Sequence, residues 1–294
     1  MKELVILSGK GGTGKTSVTA SFAALAKNAV FADADVDAAD LHLVLNPEIQ
    51  SRHEFRSGHE AVIRQADCLR CGACLAHCRF DAVWMDGKDA GEATFRIDPS
   101  VCEGCGVCVA FCPAHAIDFP ERSCGEWYVS HTRFGPLVHA RLNPGSENSG
   151  KLVTQVRTEA RRLAERDGKE WIIVDGPPGI GCPVIASLTG ADAVLTVTEP
   201  TVSGEHDLAR VLKLARHFGV SVFVCVNKWD INPDAATRIE EHAATDGATI
   251  LPRIPYDCAV TAAQINGQSV VEFSDGPSAQ QIHRIWNSLC KSLN

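Results

Sequence analysis

The stretch Gly9-Lys10-Gly11-Gly12-Thr13-Gly14-Lys15-Thr16 constrains this chain more than any other. It follows the apolar run Leu4-Val5-Ile6-Leu7 and precedes a pattern rich in Ala, Val and Leu. The order strand, Gly-rich loop, helix is the setting that a phosphate-binding loop needs. Glycines let backbone N–H groups turn inward onto phosphate oxygens, and the helix N-terminus behind them favours negative charge. Lys15 is expected to reach the β- and γ-phosphates and Thr16 to hold Mg²⁺, with Ser17 completing the contact set.

Around this loop the reading is of a parallel α/β start: strand Glu3–Ser8, helix Lys15–Lys27 and strand Ala29–Asp35. The rhythm stops, then resumes near Gly150 with helix Lys151–Arg166 and strand Trp171–Asp175. Helix Pro183–Gly190, strand Ala193–Thr198, helix Ser203–Phe218 and strand Ser221–Val226 follow. Helix Asp234–Ala244, a strand near Ala248–Arg253 and terminal helices complete the order. Near-continuous apolar strands suit a parallel sheet covered on both faces. The chain of 294 residues therefore divides as a nucleotide-binding domain over 1–60 and 123–294, with a small domain inserted over 61–122.

A net charge of −8 argues against binding nucleic acid by phosphate neutralisation. No apolar run approaches the roughly 18–20 residues that span a bilayer, and the first strand begins with no leader pattern, so a cytoplasmic location is expected. Ile282, Ile285, Trp286, Leu289 and Leu293 form one helical face. With only Arg284 and Lys291 nearby, that face reads as packed on the sheet and not as a membrane anchor.

Strand Ala29–Asp35 ends in Asp33-Ala34-Asp35-Val36-Asp37. Carboxylates at the end of a parallel strand beside a phosphate loop orient water or hold the Mg²⁺ shell. Asp35 is expected to position the attacking water and Asp33 to lie near the metal, with Asp37 the second choice. A second apolar strand ends in Asp175-Gly176-Pro177-Pro178-Gly179, where Asp175 fits a Mg²⁺ role and the Gly179 N–H a γ-phosphate sensor.

Lys10-Gly-Gly-Thr-Gly-Lys15-Thr16, Asp33-Ala-Asp35 and Asp175-Gly-Pro-Pro-Gly together resemble the deviant Walker-A ATPases, which include the MinD/ParA proteins and the nitrogenase iron protein. The resemblance covers residues 1–45 and about 145–294. It implies ATP with Mg²⁺, a P-loop fold, and a dimer (of identical chains or with a similar one) closed over the nucleotide. It also implies that Lys10 acts in trans on the partner's nucleotide. Asn227-Lys228-Trp229-Asp230 reads as a base-recognition segment. Its spacing also resembles the guanine readers of GTPases, while the family resemblance favours adenine.

Thirteen cysteines in such a chain do not suggest a disulfide framework, and eight of them fall between Cys68 and Cys112. Cys68-x2-Cys71-x2-Cys74-x3-Cys78 is repeated 34 residues later as Cys102-x2-Cys105-x2-Cys108-x3-Cys112-Pro113. Each run has Gly after its second Cys. This resembles the bacterial two-cluster ferredoxin and implies an inserted α+β domain with two [4Fe–4S] clusters. In that pattern three thiolates wrap one cubane and the fourth reaches the other. Cys68, Cys71, Cys74 and Cys112 would hold one cluster, and Cys78, Cys102, Cys105 and Cys108 the second. Two zinc sites or a structural cysteine knot are the competing readings. Arg79 stands where the usual Pro would follow Cys78, which leaves the local turn in doubt.

Cys225, Cys258 and Cys290 read as buried or incidental thiols. Cys182 begins a helix seven residues after Asp175, a spacing that resembles the interfacial ligand of the nitrogenase iron protein. Cys124 is the only obvious substitute for that family's second ligand. The alternatives are an additional interfacial metal site from Cys182, with Cys124, or a packed thiol.

Three functions follow from these resemblances: an ATP-gated electron carrier with a redox partner; a carrier delivering cluster or metal to an apo-metalloprotein; and a MinD-like positioning ATPase.

Overall fold

The computed structural model describes residues 1–87, 93–146 and 149–293. By contact the chain separates into two units. The core unit comprises Met1–His53, Glu126–Arg141 and Ser149–Asn294; the cysteine unit comprises Glu54–Gly125 and Leu142–Asn148. The boundaries thus differ from the expected 61–122, and the second unit also takes a short later segment.

Among the described residues nine strands make the main sheet: β1 (Lys2–Ser8), β2 (Ala29–Asp33), β3 (Glu48–His59), β4 (Glu121–Thr132), β5 (Gly135–Leu142), β6 (Trp171–Pro178), β7 (Ala193–Thr198), β8 (Ser221–Val226) and β9 (Thr249–Ile250). Their order is β9-β8-β7-β1-β6-β2-β5-β4-β3. From β9 through β5 every neighbouring pair is parallel. Leu4, Val5, Ile6 and Leu7 are all buried, which is what a strand covered on both faces requires. Asp175 pairs with Ile6 on one side and Asp33 on the other. That register brings the two carboxylates together at the C-terminal ends of their strands, where ligands bind open α/β sheets.

The expected helices are present, with ends moved by one to a few residues: α1 (Lys15–Leu25), α2 (Ser149–Arg166), α3 (Cys182–Leu188), α4 (Val202–His217), α5 (Pro233–Thr245) and α6 (Pro277–Leu293). The α6 face of Ile282, Ile285, Trp286 and Leu289 is buried. The Trp286 ring lies 5.1 Å from Phe22 and 5.4 Å from Trp171, so this face belongs to the core. No helix among the described residues is long and apolar enough to cross a membrane.

β2 stops at Asp33, so Asp35 stands in the following loop and not on the strand. Strands β3, β4 and β5 extend the sheet where the sequence reading has only an interruption.

The cysteine unit carries the 34-residue repeat in its backbone. Left-handed φ values recur in register: Arg70 and Gly104 (57° and 61°), Gly72 and Gly106 (both 73°), Asp81 and His115 (54° and 51°). Each repeated glycine precedes a short helix, Ala73–His77 or Val107–Ala110. Asp81 matches His115, so the turn after Cys78 forms with Arg79 in place of proline.

Candidate functional site

Gly12 and Gly14 have φ of 84° and 91°, conformations that favour glycine and shape the loop ahead of α1. A Cβ on Gly9 would lie 2.3 Å from Cβ of Asp207 on α4, so this glycine is also required by close packing. The loop borders a cleft of about 480 Å³ lined by Gly11, Gly12, Lys15, Thr16, Asp35, Asn227, Lys228 and Tyr256. That volume lies in the usual range for small-molecule sites.

At its floor, Lys15 Nζ lies 2.9 Å from Asp175 Oδ1 and 3.3 Å from Asp35 Oδ2. Thr16 Oγ1 donates to Asp175 Oδ2 at 2.7 Å, and Thr19 Oγ1 to Asp175 Oδ1 at 2.9 Å. Burial pulls the Lys15 ammonium down, but Asp175, Asp35 and Asp33 overcome it and hold Lys15 above its ordinary range. Burial and, next, the charge of Asp175 push Asp33 well up; burial also raises Asp35. One buried cation thus balances a crowded set of carboxylates.

Two of the expected site groups already have protein partners. Asp33 is fully buried, and its oxygens accept from Asp35 N at 3.2 Å and Leu41 N at 3.1 Å. It faces backbone donors that shape the Asp35 loop. Asn227 and Lys228 grip the phosphate loop itself. Asn227 Nδ2 donates to Thr13 O at 2.8 Å and Lys228 Nζ to Gly12 O at 3.1 Å. Asp230 accepts from Tyr256 N at 2.7 Å, on the same side of the cleft.

Sequence reasoning missed Glu199. Lying just after β7, it binds Lys10 Nζ at 2.7 Å and Lys228 Nζ at 3.4 Å. Burial raises its carboxyl, but the two lysines prevail and lower it. Lys10 also donates to Ser203 Oγ at 3.2 Å. The signal was weak: a lone Glu with no motif around it. Thr19 and Gln264, whose Nε2 donates to Ser17 Oγ at 3.0 Å, were missed for the same reason.

These observations have a counterpart in known proteins. The family model described as the CobQ/CobB/MinD/ParA nucleotide binding domain matches residues 4–270. The chain belongs to this family. A similar relative is the uncharacterized protein MJ0578 of Methanocaldococcus jannaschii, 36% identical over 78% of this chain and 79% of that protein. Among solved structures, the cell division ATPase MinD of Pyrococcus furiosus superposes with a TM-score of 0.57 at 18% identity, covering 99% of both chains. The Cyanothece McdA(D38A)–ATP complex gives 0.54 at 18% identity, covering 100% of this chain and 96% of that one. At these identities the structures establish the shared fold.

The cysteine unit presents a second candidate. Among the described residues no three His, Cys, Asp or Glu side chains close around a position for a single metal ion. The eight cysteines instead line two cavities, four to each. One is bordered by Cys68, Cys71, Cys74 and Cys112, the other by Cys78, Cys102, Cys105 and Cys108. Each cavity therefore draws three cysteines from one run and the fourth from the other. The remaining lining is mostly apolar, with Phe95 and Ile117 in the first and Val83 and Phe119 in the second.

Cys182 is exposed at the start of α3. Cys124 is buried, and its Sγ donates to Ser57 O at 3.1 Å within the cysteine unit. Cys225 is buried as expected, and burial pushes its thiol up to about 12.

Proposed function

We propose that this member of the CobQ/CobB/MinD/ParA family is an ATP-hydrolysing iron–sulfur protein in which a nucleotide-dependent dimer switch governs electron transfer through two [4Fe–4S] clusters. The observation that carries the iron–sulfur part is the crossed grouping of the cysteines: each cavity has four, and one of the four comes from the other run. That grouping fits a pair of cubanes, each wrapped by three thiolates and closed by a fourth. Cubanes bound there would supply one-electron redox chemistry.

In the core unit, Lys15 neutralises the β- and γ-phosphates. Entry of nucleotide moves the Lys15 ammonium from Asp175 and Asp35 toward phosphate oxygens. Thr16 and Asp175, already hydrogen-bonded to each other, are placed to share a Mg²⁺ shell. Asp35, left without its lysine partner, positions the attacking water. Lys10 acts on the partner's nucleotide once it leaves Glu199. Structures of similar proteins support ATP: MinD of Pyrococcus horikoshii is complexed with Mg-ADP and McdA with ATP.

Burial of Cys124 counts against its serving as the second ligand of a labile shared site, and so against cluster delivery. Burial of the α6 apolar face disfavours membrane positioning through that helix.

The test is anaerobic. Protein purified without oxygen is assayed for iron and sulfide, then its EPR spectrum and midpoint potentials are compared with ATP, ADP and no nucleotide. Clusters that stay bound and change potential with nucleotide are the expected result. Stoichiometric zinc with a colourless, EPR-silent reduced sample would refute the iron–sulfur part. Iron passing to an apo-acceptor on hydrolysis would replace electron transfer with delivery.

A further inference from the structure

The two cysteine runs match closely in backbone, yet the repeat breaks at one cavity-lining position. Leu69 lines the cavity of Cys68, Cys71, Cys74 and Cys112. At the same place in the second run Glu103 lines the cavity of Cys78, Cys102, Cys105 and Cys108. Among the described residues, no Asp, Glu, Lys or Arg lines the first cavity. Arg79 follows Cys78 but is not part of the second cavity's lining.

A separate asymmetry points the same way. In the first set, Arg70 N donates to Cys68 Sγ at 3.4 Å and Ala116 N to Cys112 Sγ at 3.3 Å. In the second set the backbone N–H of Val109 bonds Cys108, matched in the first set by Leu75 on Cys74, so among the described residues the Arg70 and Ala116 donors are what the first set has in addition. Hydrogen bonds to sulfur and local net charge are among the factors that set a cluster's potential. Donors to sulfur favour the more negative, reduced state, and a nearby carboxylate opposes it.

We propose that the two sites are electrically polarised: the Cys68/Cys71/Cys74/Cys112 site takes an electron at a higher potential than the Cys78/Cys102/Cys105/Cys108 site, and the Leu69/Glu103 difference sets part of the gap. This rests on the iron–sulfur reading above. The insert is then a directional pair in which an electron resides on the first site, and not two equivalent stores.

Full-length protein, purified anaerobically and assayed for iron, is titrated with dithionite and followed by EPR. Wild type reduces in two resolved steps. Glu103→Gln raises the lower step and leaves the upper one in place. Leu69→Glu lowers the upper step and leaves the lower one in place. Both side chains are exposed, so neither change disturbs a packed core, and iron content verifies cluster assembly in each variant. Both shifts shrink with added salt, which a structural effect would not do. A single step in clustered wild type overturns the proposal alone, as does Glu103→Gln moving the upper step or neither. Absence of [4Fe–4S] clusters from the wild type removes the underlying reading, and the proposal with it.

Discussion

The two units build their sites by opposite means. In the core unit the cleft gathers residues from the whole length of the chain: Lys10 to Thr16, Asp35, Asp175, Glu199 and Asn227-Lys228. In the cysteine unit the eight cavity-lining thiols come from one 45-residue stretch in which the same four-cysteine spacing occurs twice. The first depends on charge compensation across a folded sheet, so a single change is felt by every partner. The second depends on spacing within short loops, so each cavity answers mainly to its own four cysteines.

The sharpest way to break this contrast is Lys15→Ala. It removes the cation that balances Asp33, Asp35 and Asp175. Loss of a preorganised phosphate contact should lower ATP hydrolysis by roughly 10³-fold, and an uncompensated buried carboxylate cluster should cost about 3–5 kcal/mol of stability. Iron content should stay at the wild-type level. A matching loss of iron would show that the units are not independent.

Cys112→Ser tests the crossing from the other side. It should empty the site formed with Cys68, Cys71 and Cys74, although Cys112 belongs to the run of Cys102, Cys105 and Cys108. Cluster content should fall by about half, with ATP hydrolysis retained. EPR together with the reciprocal Cys78→Ser reads which set is lost; loss of the Cys102 site in Cys112→Ser would overturn the crossed assignment.

The core unit also carries a pH dependence. His139 is buried, and its Nε2 lies 2.9 Å from Ser130 Oγ. Burial, aided by His42, pulls its pKa down to about 4. The unfolded chain takes up this proton near 6.5 while the folded one does not, so stability is full above that value. It then falls as pH drops toward 4, by about 1.4 kcal/mol per unit and up to roughly 3 kcal/mol. Urea midpoints at pH 7 and pH 5 measure this, and His139→Gln should flatten the difference.

Glu199→Gln should have the smallest effect on stability, about 1 kcal/mol or less, because Lys10 and Lys228 remain partly exposed. It should release Lys10 from its own protomer and strengthen ATP-dependent dimerisation. Sedimentation with and without ATP reads the change, and weaker dimerisation would count against Lys10 acting in trans.

Much of both sites was legible because the defining residues lie close together in sequence. The phosphate loop is eight consecutive residues, and buried strands such as Leu4–Leu7 announce themselves by unbroken apolar character. β3 was not legible. Its sequence, Glu48 to His59, is mostly polar and mostly exposed, so no alternation marks it as a strand. β5 was hidden by Pro136, which reads as a turn but sits at the second position of the strand. The carboxylates Asp33 and Asp35 could be named and given roles, but the backbone contacts that each makes could not. Their difference arises from where β2 stops and from the Leu41 amide, neither of which a local pattern encodes.

The grip of Asn227 on Thr13 spans 214 positions of the chain, and it has a consequence for synthesis. The last residue of the cysteine unit is 148, some eighty positions before that clasp emerges from a ribosome. During translation, domains generally fold in the order they appear. The eight thiols are therefore synthesised in a nascent chain that cannot yet hold its phosphate loop in shape. On the proposed iron–sulfur reading, loading of the cysteine unit would precede, in time, any control that nucleotide exerts over it.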